Sequence, residues 1–399
     1  MSMREKALKM HREQNGKIGT HSKITLESNQ DLGLAYSPGV AEPCKEISNN
    51  IDDVYEYTSK GNLVAVVSNG SAVLGLGNIG PEASMPVMEG KSILFKEFAN
   101  VDAFPLCINN KDPESFITTV KALEPTFGGI NLEDIASPDC FIIEETLKKE
   151  LNIPVFHDDQ HGTAIVTLAG LINALKLVGK TVQNSKIIIN GAGAAGIAVT
   201  KLLLSLGSKD IIMCDSRGAI YEGRTERMNV LKDEMAAVTN HNQIAGTLDE
   251  VIKKADVVIG VSTAGCISQE MVQSMAEDPI IFAMANPEPE ILPDAAKEAG
   301  VRVIGTGRSD FPNQVNNVLA FPGVFRGALD VRASEINEEM KIAAAHAIAG
   351  LIEDHELNED YVIPNPLDKR VVKEVADAVA LAAIKSGAAK HKIVNKVNA

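Results

Sequence analysis

The chain has no tryptophan, and aromatic residues fill only 4% of its 399 positions. Its cores must therefore be built from Ala, Val, Ile and Leu, as is common where buried parallel strands meet helices. Cysteine is scarce: Cys44, Cys107, Cys140, Cys214 and Cys266 are odd in number, widely spaced and never in a C-x-x-C pair. That argues against a disulfide framework or a zinc-thiolate site and predicts a reducing, cytoplasmic setting. No apolar run approaches the roughly 18 residues needed to span a bilayer. The opening segment MSMREKALKMHREQNG is charged throughout and lacks the apolar stretch of a secretory signal. Basic residues are in deficit, with 38 Lys and Arg against 53 Asp and Glu and a formal net charge of -15. This argues against a nucleic-acid surface, where phosphates demand clustered cations. Small anions remain possible ligands, because backbone N–H groups and single lysines can hold them.

What the chain does have is an alternation of apolar strands and helices. LVAVV, DAFPLCI, GGINLEDI and PVF read as strands in the first half, and KIIIN, DIIMCD, DVVIGVS, PIIFAMAN and VRVIG in the second. Such alternation implies βαβ units and mostly parallel sheets. The length exceeds what one core usually organises, and the pattern changes near residue 161. The expected fold class is α/β with two domains: a smaller α/β domain over 1–161, and a Rossmann-type doubly wound sheet with C-terminal helices over 162–399. A long apolar helix over 163–178 would form the hinge. The segment from Gly33 to Pro43 reads as turn-rich, and the hinge helix is not expected to start within His157–Gly162, ahead of Thr163.

The pattern G-x-G-x-x-G occurs twice, and only context separates the copies. Gly191, Gly193 and Gly196 follow a strand directly and open a helix. There the helix N-terminus, with the N–H groups of Ala194 and Ala195, would cradle a pyrophosphate. Asp215, ending the next strand, would accept the ribose hydroxyls and so predicts NAD; Arg217, two residues on, leaves NADP open. The earlier copy, Gly75, Gly77 and Gly80, is followed by Pro81 and has no acid-tipped strand at the proper distance. It reads as a close backbone approach.

Glu133 and Asp134 sit at the end of one expected strand, and Asp158 and Asp159 at the end of another. Four acids at strand ends make an oxygen-rich site suited to Mg2+ or Mn2+; solvated surface acids are the plainer alternative. His157 and His161 are four apart, but the intervening Asp-Asp-Gln does not match the metalloprotease pattern, so they read as structural or outer groups rather than zinc ligands.

The ordered segments LAYSPGVAEPC, PVMEGKSILFK, GGINLEDI, FHDDQHGTA, GAGAAG, FAMANPEPE and NNVLAFPGVFRGALD, over residues 34–330, resemble the small bacterial malic enzymes. The resemblance implies oxidative decarboxylation of malate to pyruvate and CO2, with NAD or NADP and a divalent metal, in a homodimer. It implies Tyr36 as general acid, Lys91 as general base and Asp158 as the acid paired with that lysine. It further implies Glu133, Asp134 and Asp159 as metal ligands, and Asn286 and Asn317 as substrate contacts. Larger family members carry an arginine before the GLG segment, where it can hold a substrate carboxylate or the cofactor; the corresponding residue here is Ala72. An exposed lysine, with a pKa near 10.4, is protonated at neutral pH; burial and a metal would lower it, while Asp158 pulls the other way. The alternatives are a malolactic variant, a hydroxy-acid dehydrogenase without decarboxylation, and a non-catalytic dinucleotide sensor.

Overall fold

A computed structural model describes residues 1–391 of the chain. Helices α1 (Met3–Gln14), α2 (Asn29–Ala35) and α3 (Ala41–Asn49) lead it, and none has a buried residue. Helices thus flank the segment read as turns, and the chain turns only from Tyr36 to Val40. Ser28 caps α2 by accepting from the Asp31 N–H, while the Asp31 carboxylate reaches back, a reciprocal cap that the turn-like composition hides.

The first sheet holds β1 (Leu63–Ser68), β2 (Asp102–Cys107), β3 (Gly129–Leu132) and β4 (Val155–His157), all parallel, in the order β2-β1-β3-β4. Its crossovers are α4 (Pro81–Ala99), α5 (Pro113–Ala122) and α6 (Asp139–Glu150). Helix α4 starts with proline at its first position, where the missing N–H costs nothing, and stops at Asn100 in the left-handed conformation.

Helix α7 (Thr163–Leu177) joins the halves. It is buried on nearly every side, as its apolar sequence demands. The second sheet follows: β5 (Lys186–Asn190), β6 (Asp210–Asp215), β7 (Gly218–Ala219), β8 (Val257–Gly260), β9 (Ile280–Ala283) and β10 (Val303–Thr306). Its order is β10-β9-β8-β5-β6-β7, parallel except for the β6–β7 pair. Strand order reverses between β5 and β8, and α8 (Ala194–Ser205) leaves β5 at that point. Two α/β units, the second doubly wound, match the expected class.

The chain then returns to the first sheet through α9 (Phe321–Asp330), with α10 (Glu338–Ala349) and α11 (Arg370–Ser386) behind it. Several of the chain's few aromatics meet at this seam. Phe95 packs edge-on to Phe321 and Phe325, with ring centroids at 4.7 and 5.2 Å, and Phe325 meets Phe156 at 5.8 Å. Such contacts add about 0.5–1.5 kcal/mol each beyond area burial, so they fix α9 against the first sheet where the site lies.

Candidate active site

β3 and β4 end side by side, with Leu132 opposite His157. The residues that follow the two strands therefore emerge together: Glu133 and Asp134 from one, Asp158 and Asp159 from the other. Asp134 takes a left-handed backbone conformation, φ 54°, which costs a non-glycine residue of order 1 kcal/mol. The turn is held because Asp134 N–H donates to Asp159 Oδ2 at 2.8 Å and its carbonyl accepts from Ala72 N–H at 3.0 Å.

After β4 the chain makes one π-helical turn, Asp158–Gly162, before α7. Winding thus begins ahead of Thr163, contrary to the sequence expectation. Gly162 allows it, since a Cβ there would sit 1.9 Å from Asp158 Oδ1. Wide turns of this kind concentrate at functional sites.

Lys91 reaches this cluster from α4. Its Nζ lies 2.6 Å from Asp158 Oδ2 and 2.9 Å from Glu133 Oε1, and 4.4 Å from the centre of the Phe321 ring. Asn317 Nδ2 donates to Asp158 Oδ2 at 3.0 Å, so its amide secures the acid that grips the lysine. Burial disfavours the ammonium, but Asp158 and Glu133 outweigh it and hold Lys91 above the ordinary lysine range. The expectation that burial lowers this lysine is thus reversed in the protein alone, because two acids rather than one face it.

The acids themselves are strained electrostatically. Burial, with Asp159, Asp158 and Asp134 adding to it against Lys91, raises the Glu133 carboxyl well above its usual range. Burial and then Asp159 push Asp134 up to about 7. Asp134 Oδ2 and Asp158 Oδ1 are buried without a hydrogen-bond partner. One ligand oxygen each from Glu133, Asp134 and Asp159 can be chosen so that all lie within 4.8 Å of one another. Four carboxylates against one ammonium leave the cluster short of positive charge, and a hard divalent cation suits that donor set. No histidine belongs to the group. His157 is buried in β4, and His161 bonds Glu144 through Nε2 at 2.8 Å.

The second sheet presents a different kind of site. At the switch point the glycine loop runs into α8, whose N-terminus begins at Ala194 without a side-chain cap. A Cβ on Gly196 would come within 1.9 Å of Gly191 O, so only glycine permits this turn. The free N–H groups and the helix dipole suit a pyrophosphate. Asp215 ends β6, yet its carboxylate is already engaged by the Arg224 guanidinium, by Lys232 Nζ at 2.6 Å and by Arg217 N–H at 2.9 Å. Burial opposes these bonds, but Arg224 and Lys232 prevail and hold Asp215 below the usual carboxylate range. The Arg217 side chain turns to Glu226 at 3.0 Å.

The two edges meet. The exposed Asn286, in the loop after β9, stands against the first glycine copy: a Cβ on Gly75 would be 3.3 Å from Asn286 O. That copy is a close backbone approach in the loop between β1 and α4: it does not follow the strand directly, and Gly80 caps α4 just ahead of Pro81. Thr163 at the start of α7 and Asn317 bond each other across 3.2 Å. Tyr36 stands apart: it is 70% exposed, and among the described residues no hydrogen bond or ion pair joins it to the cluster.

Sequence reasoning missed Glu290. It is fully buried and accepts from Ser262 N–H at 2.8 Å and Ala285 N–H at 3.0 Å, which ties the loops after β8 and β9 together beside Asn286. A glutamate in NPEPE carries no local signal of burial.

A glycine cradle at the edge of one sheet and a lysine among carboxylates at the edge of the other define a nicotinamide-dependent oxidoreductase built on two α/β units. The comparisons with known proteins agree. The family model for the malic enzyme N-terminal domain matches residues 15–148, and that for the malic enzyme NAD binding domain matches residues 160–388. The chain is 66% identical to the bifunctional malic/malolactic enzyme of Bacillus subtilis, over 98% of this chain and 95% of that one. It is 57% identical to the NAD-dependent malic enzyme of Geobacillus stearothermophilus, over 94% and 78% of the two chains. The solved malic enzyme of Pyrococcus horikoshii superposes with a TM-score of 0.94 at 50% identity, covering 98% of this chain and 93% of that one. This chain belongs to the malic enzyme family.

Proposed function

We propose that the protein oxidises malate with a nicotinamide cofactor and releases CO2, leaving pyruvate. The observation that carries this reading is Lys91 held between Asp158 and Glu133 at the carboxyl edge of the first sheet. Glu133, Asp134 and Asp159 would hold Mg2+ or Mn2+; Gly191, Gly193, Ala194, Ala195 and Gly196 would hold the dinucleotide. When bound, the nicotinamide accepts hydride from C2 of malate and the cation acts as a Lewis acid for the negative charge developed as CO2 leaves.

The chain's own groups move the protons. With Glu133 neutralised by the cation it holds, Asp158 is left as the chief group keeping Lys91 charged. Lys91 Nζ can pass a proton to Asp158 Oδ2 across 2.6 Å, and the neutral amine then takes the C2 hydroxyl proton. Asn317 keeps Asp158 in place for this exchange. Asn286 presents a free amide to the substrate. With Ala72 in place of an arginine, the malate carboxylates fall to Asn286 and the cation.

Tyr36 would be the acid that protonates C3. It lies on an arm in which no residue before Lys60 is buried, and Leu32, Leu34, Tyr36 and Val40 are exposed there together. That apolar arm supports a homodimer as the form in which Tyr36 acts, checked by sedimentation of the wild-type protein. At the adenosine ribose, two cations face the Asp215 carboxylate, so NAD is preferred but the barrier to the 2′-phosphate of NADP is shallow. We put the domain boundary near residue 161, where the chain passes through the π turn. All five cysteines are free, which supports a reducing compartment, and no helix among the described residues is long and apolar enough to cross a membrane.

The test is product analysis with malate, NAD and Mn2+. Pyruvate, CO2 and reduced nicotinamide in equal amounts are expected. The name of the Bacillus subtilis relative favours malolactic turnover as a second reading; lactate without net reduced cofactor would establish it instead. Cofactor binding with no turnover of malate would leave a dinucleotide sensor, and oxidation without CO2 a plain dehydrogenase.

A further inference from the structure

Glu290 is buried beside the second sheet and has no part in the proton transfers above. It is 0% exposed, and its carboxyl lies over the end of β8, where a Cβ on Gly260 would sit 2.5 Å from its Cδ. Burial raises the carboxyl above its ordinary range, and only hydrogen bonds, those from Ser262 and Ala285 foremost, oppose it. Taking such a group out of water is costly, so the bonds it makes must offset that cost.

Those bonds form a fork. Oε1 accepts from Ser262 N–H at 2.8 Å, and Oε2 accepts from Ala285 N–H at 3.0 Å. The two donors stand just past the ends of β8 and β9, where Asn190, Gly260 and Ala283 lie in one row across three strands. Ser262 Oγ in turn accepts from Asn190 Nδ2 at 2.8 Å, and Asn190 is the residue before Gly191 of the glycine cradle. Ala285 is the residue before Asn286. Ser262 and Asn286 are both exposed, so one buried carboxyl sets the backbone under two residues that face solvent.

Bracing the loops does not by itself require a carboxylate. Gly265 N–H donates to Pro289 O at 3.1 Å and Ile267 N–H to Glu290 O at 3.0 Å, which already closes one loop on the other. Two N–H donors aimed at two different oxygens do require one. A glutamine would match its volume but turn an NH2 group toward one of the donors.

We propose that Glu290 is a positioning residue that fixes the register between the cofactor cradle, reached through Ser262 and Asn190, and the substrate amide of Asn286. It acts through the backbone of both loops, not by contact with the reactants. A misplacement of about 1 Å between reacting partners can cost on the order of 10²-fold in rate, so a rigid link between the two loops bears directly on turnover. This role rests on the malate reading of Asn286; the fork does not.

The test is a double-mutant cycle on kcat/KM for malate, with NAD and Mn2+, pairing Glu290→Gln with Asn286→Ala. Each variant is scaled to its NAD-binding stoichiometry, which removes loss of folded protein from the comparison. Glu290→Gln should lower kcat/KM roughly tenfold or more when Asn286 is present, and less than about threefold when it is absent, because the amide it misplaces is gone. A merely structural loss would be the same in both backgrounds. Equal losses, or wild-type kcat/KM in Glu290→Gln, overturn the proposal. If Glu290→Gln yields no NAD-binding protein, Glu290→Asp replaces it in the cycle: it keeps both oxygens but is one methylene too short to span the fork, and the same non-additivity is expected. Amide hydrogen exchange reads the fork without malate. Ser262 or Ala285 should lose protection in the variant while Ile267 keeps it, and unchanged protection at both overturns the fork. A wild type that does not turn over malate overturns the proposed function and the catalytic role together, while lost protection in the variant would leave the fork standing.

Discussion

The two sheets solve opposite problems with the same architecture. Both place their working residues at the carboxyl ends of parallel strands, where loops converge and backbone dipoles point outward. At the first sheet those ends are crowded with ionisable side chains: Glu133, Asp134, Asp158 and Lys91 are buried or nearly so, and each perturbs the next. At the second, the working part of the loop has almost no side chains at all, and bare N–H groups of Gly191–Gly196 do the holding. One edge is therefore sensitive to charge and the other to volume. A single neutralising change should disable the first, and a single added methyl the second.

The largest effect should follow from Lys91→Ala. Loss of the acid–base group should lower kcat on the order of 10²–10⁴-fold, while NAD affinity measured by fluorescence titration stays near wild type. A near-normal kcat would remove Lys91 from the mechanism. Next, Asp159→Ala should weaken Mn2+ binding by more than the roughly 10–100-fold that outer partners of a metal ligand cost, read by electron paramagnetic resonance of free Mn2+. Wild-type affinity in that variant would mean the ligands are misassigned.

The same titration run against pH sharpens the contrast. Asp134, pushed up to about 7, is protonated in the folded protein below that value but ionised in an unfolded chain above about 4. Its raised pKa therefore favours the metal-free fold at low pH and costs stability as pH rises through 4 toward 7. Mn2+ must displace that proton, so its affinity should fall about tenfold per unit as pH drops below 7. NAD affinity should stay flat over the same range. A flat metal profile would show that the carboxylates do not share charge as described.

At the second sheet, Gly196→Ala should cost about 1–3 kcal/mol or more and abolish NAD binding, because its methyl would strike Gly191 O. Gly193→Ala, with nothing within 4 Å of the added carbon, should fold normally and lose affinity only through the approach of the pyrophosphate. Equal melting temperatures for the two variants would contradict the loop geometry. The smallest effect is expected from Asp215→Asn, which leaves Arg224 and Lys232 unopposed and should shift the kcat/KM ratio toward NADP by roughly tenfold, about 1.4 kcal/mol.

Much of this was legible in the sequence because both sites are local. A strand running into G-x-G-x-x-G and paired acids at strand ends are each written within ten or so residues, so Glu133, Asp134, Asp158 and Asp159 could be grouped before any coordinates. Contacts that join distant segments were hidden. Nothing near Lys91 foretells Glu133 as its second partner, nothing near Asn317 foretells its grip on Asp158, and Glu290 gives no sign of burial. The π turn escaped notice because it depends on the Asp158 side chain folding over Gly162, a side-chain fit rather than a periodicity. Asp215 was read as a bare ribose acceptor, since Arg224 and Lys232 reach it from across a loop.

The central claim is that both edges serve one crevice, with the cation of the first sheet beside the nicotinamide of the second. Proton relaxation of the NAD nicotinamide ring, measured with Mn2+ added to the protein, tests this directly. Strong paramagnetic broadening of the ring protons that vanishes in Asp159→Ala is the predicted result. Broadening absent from wild type, or unchanged in that variant, would contradict it.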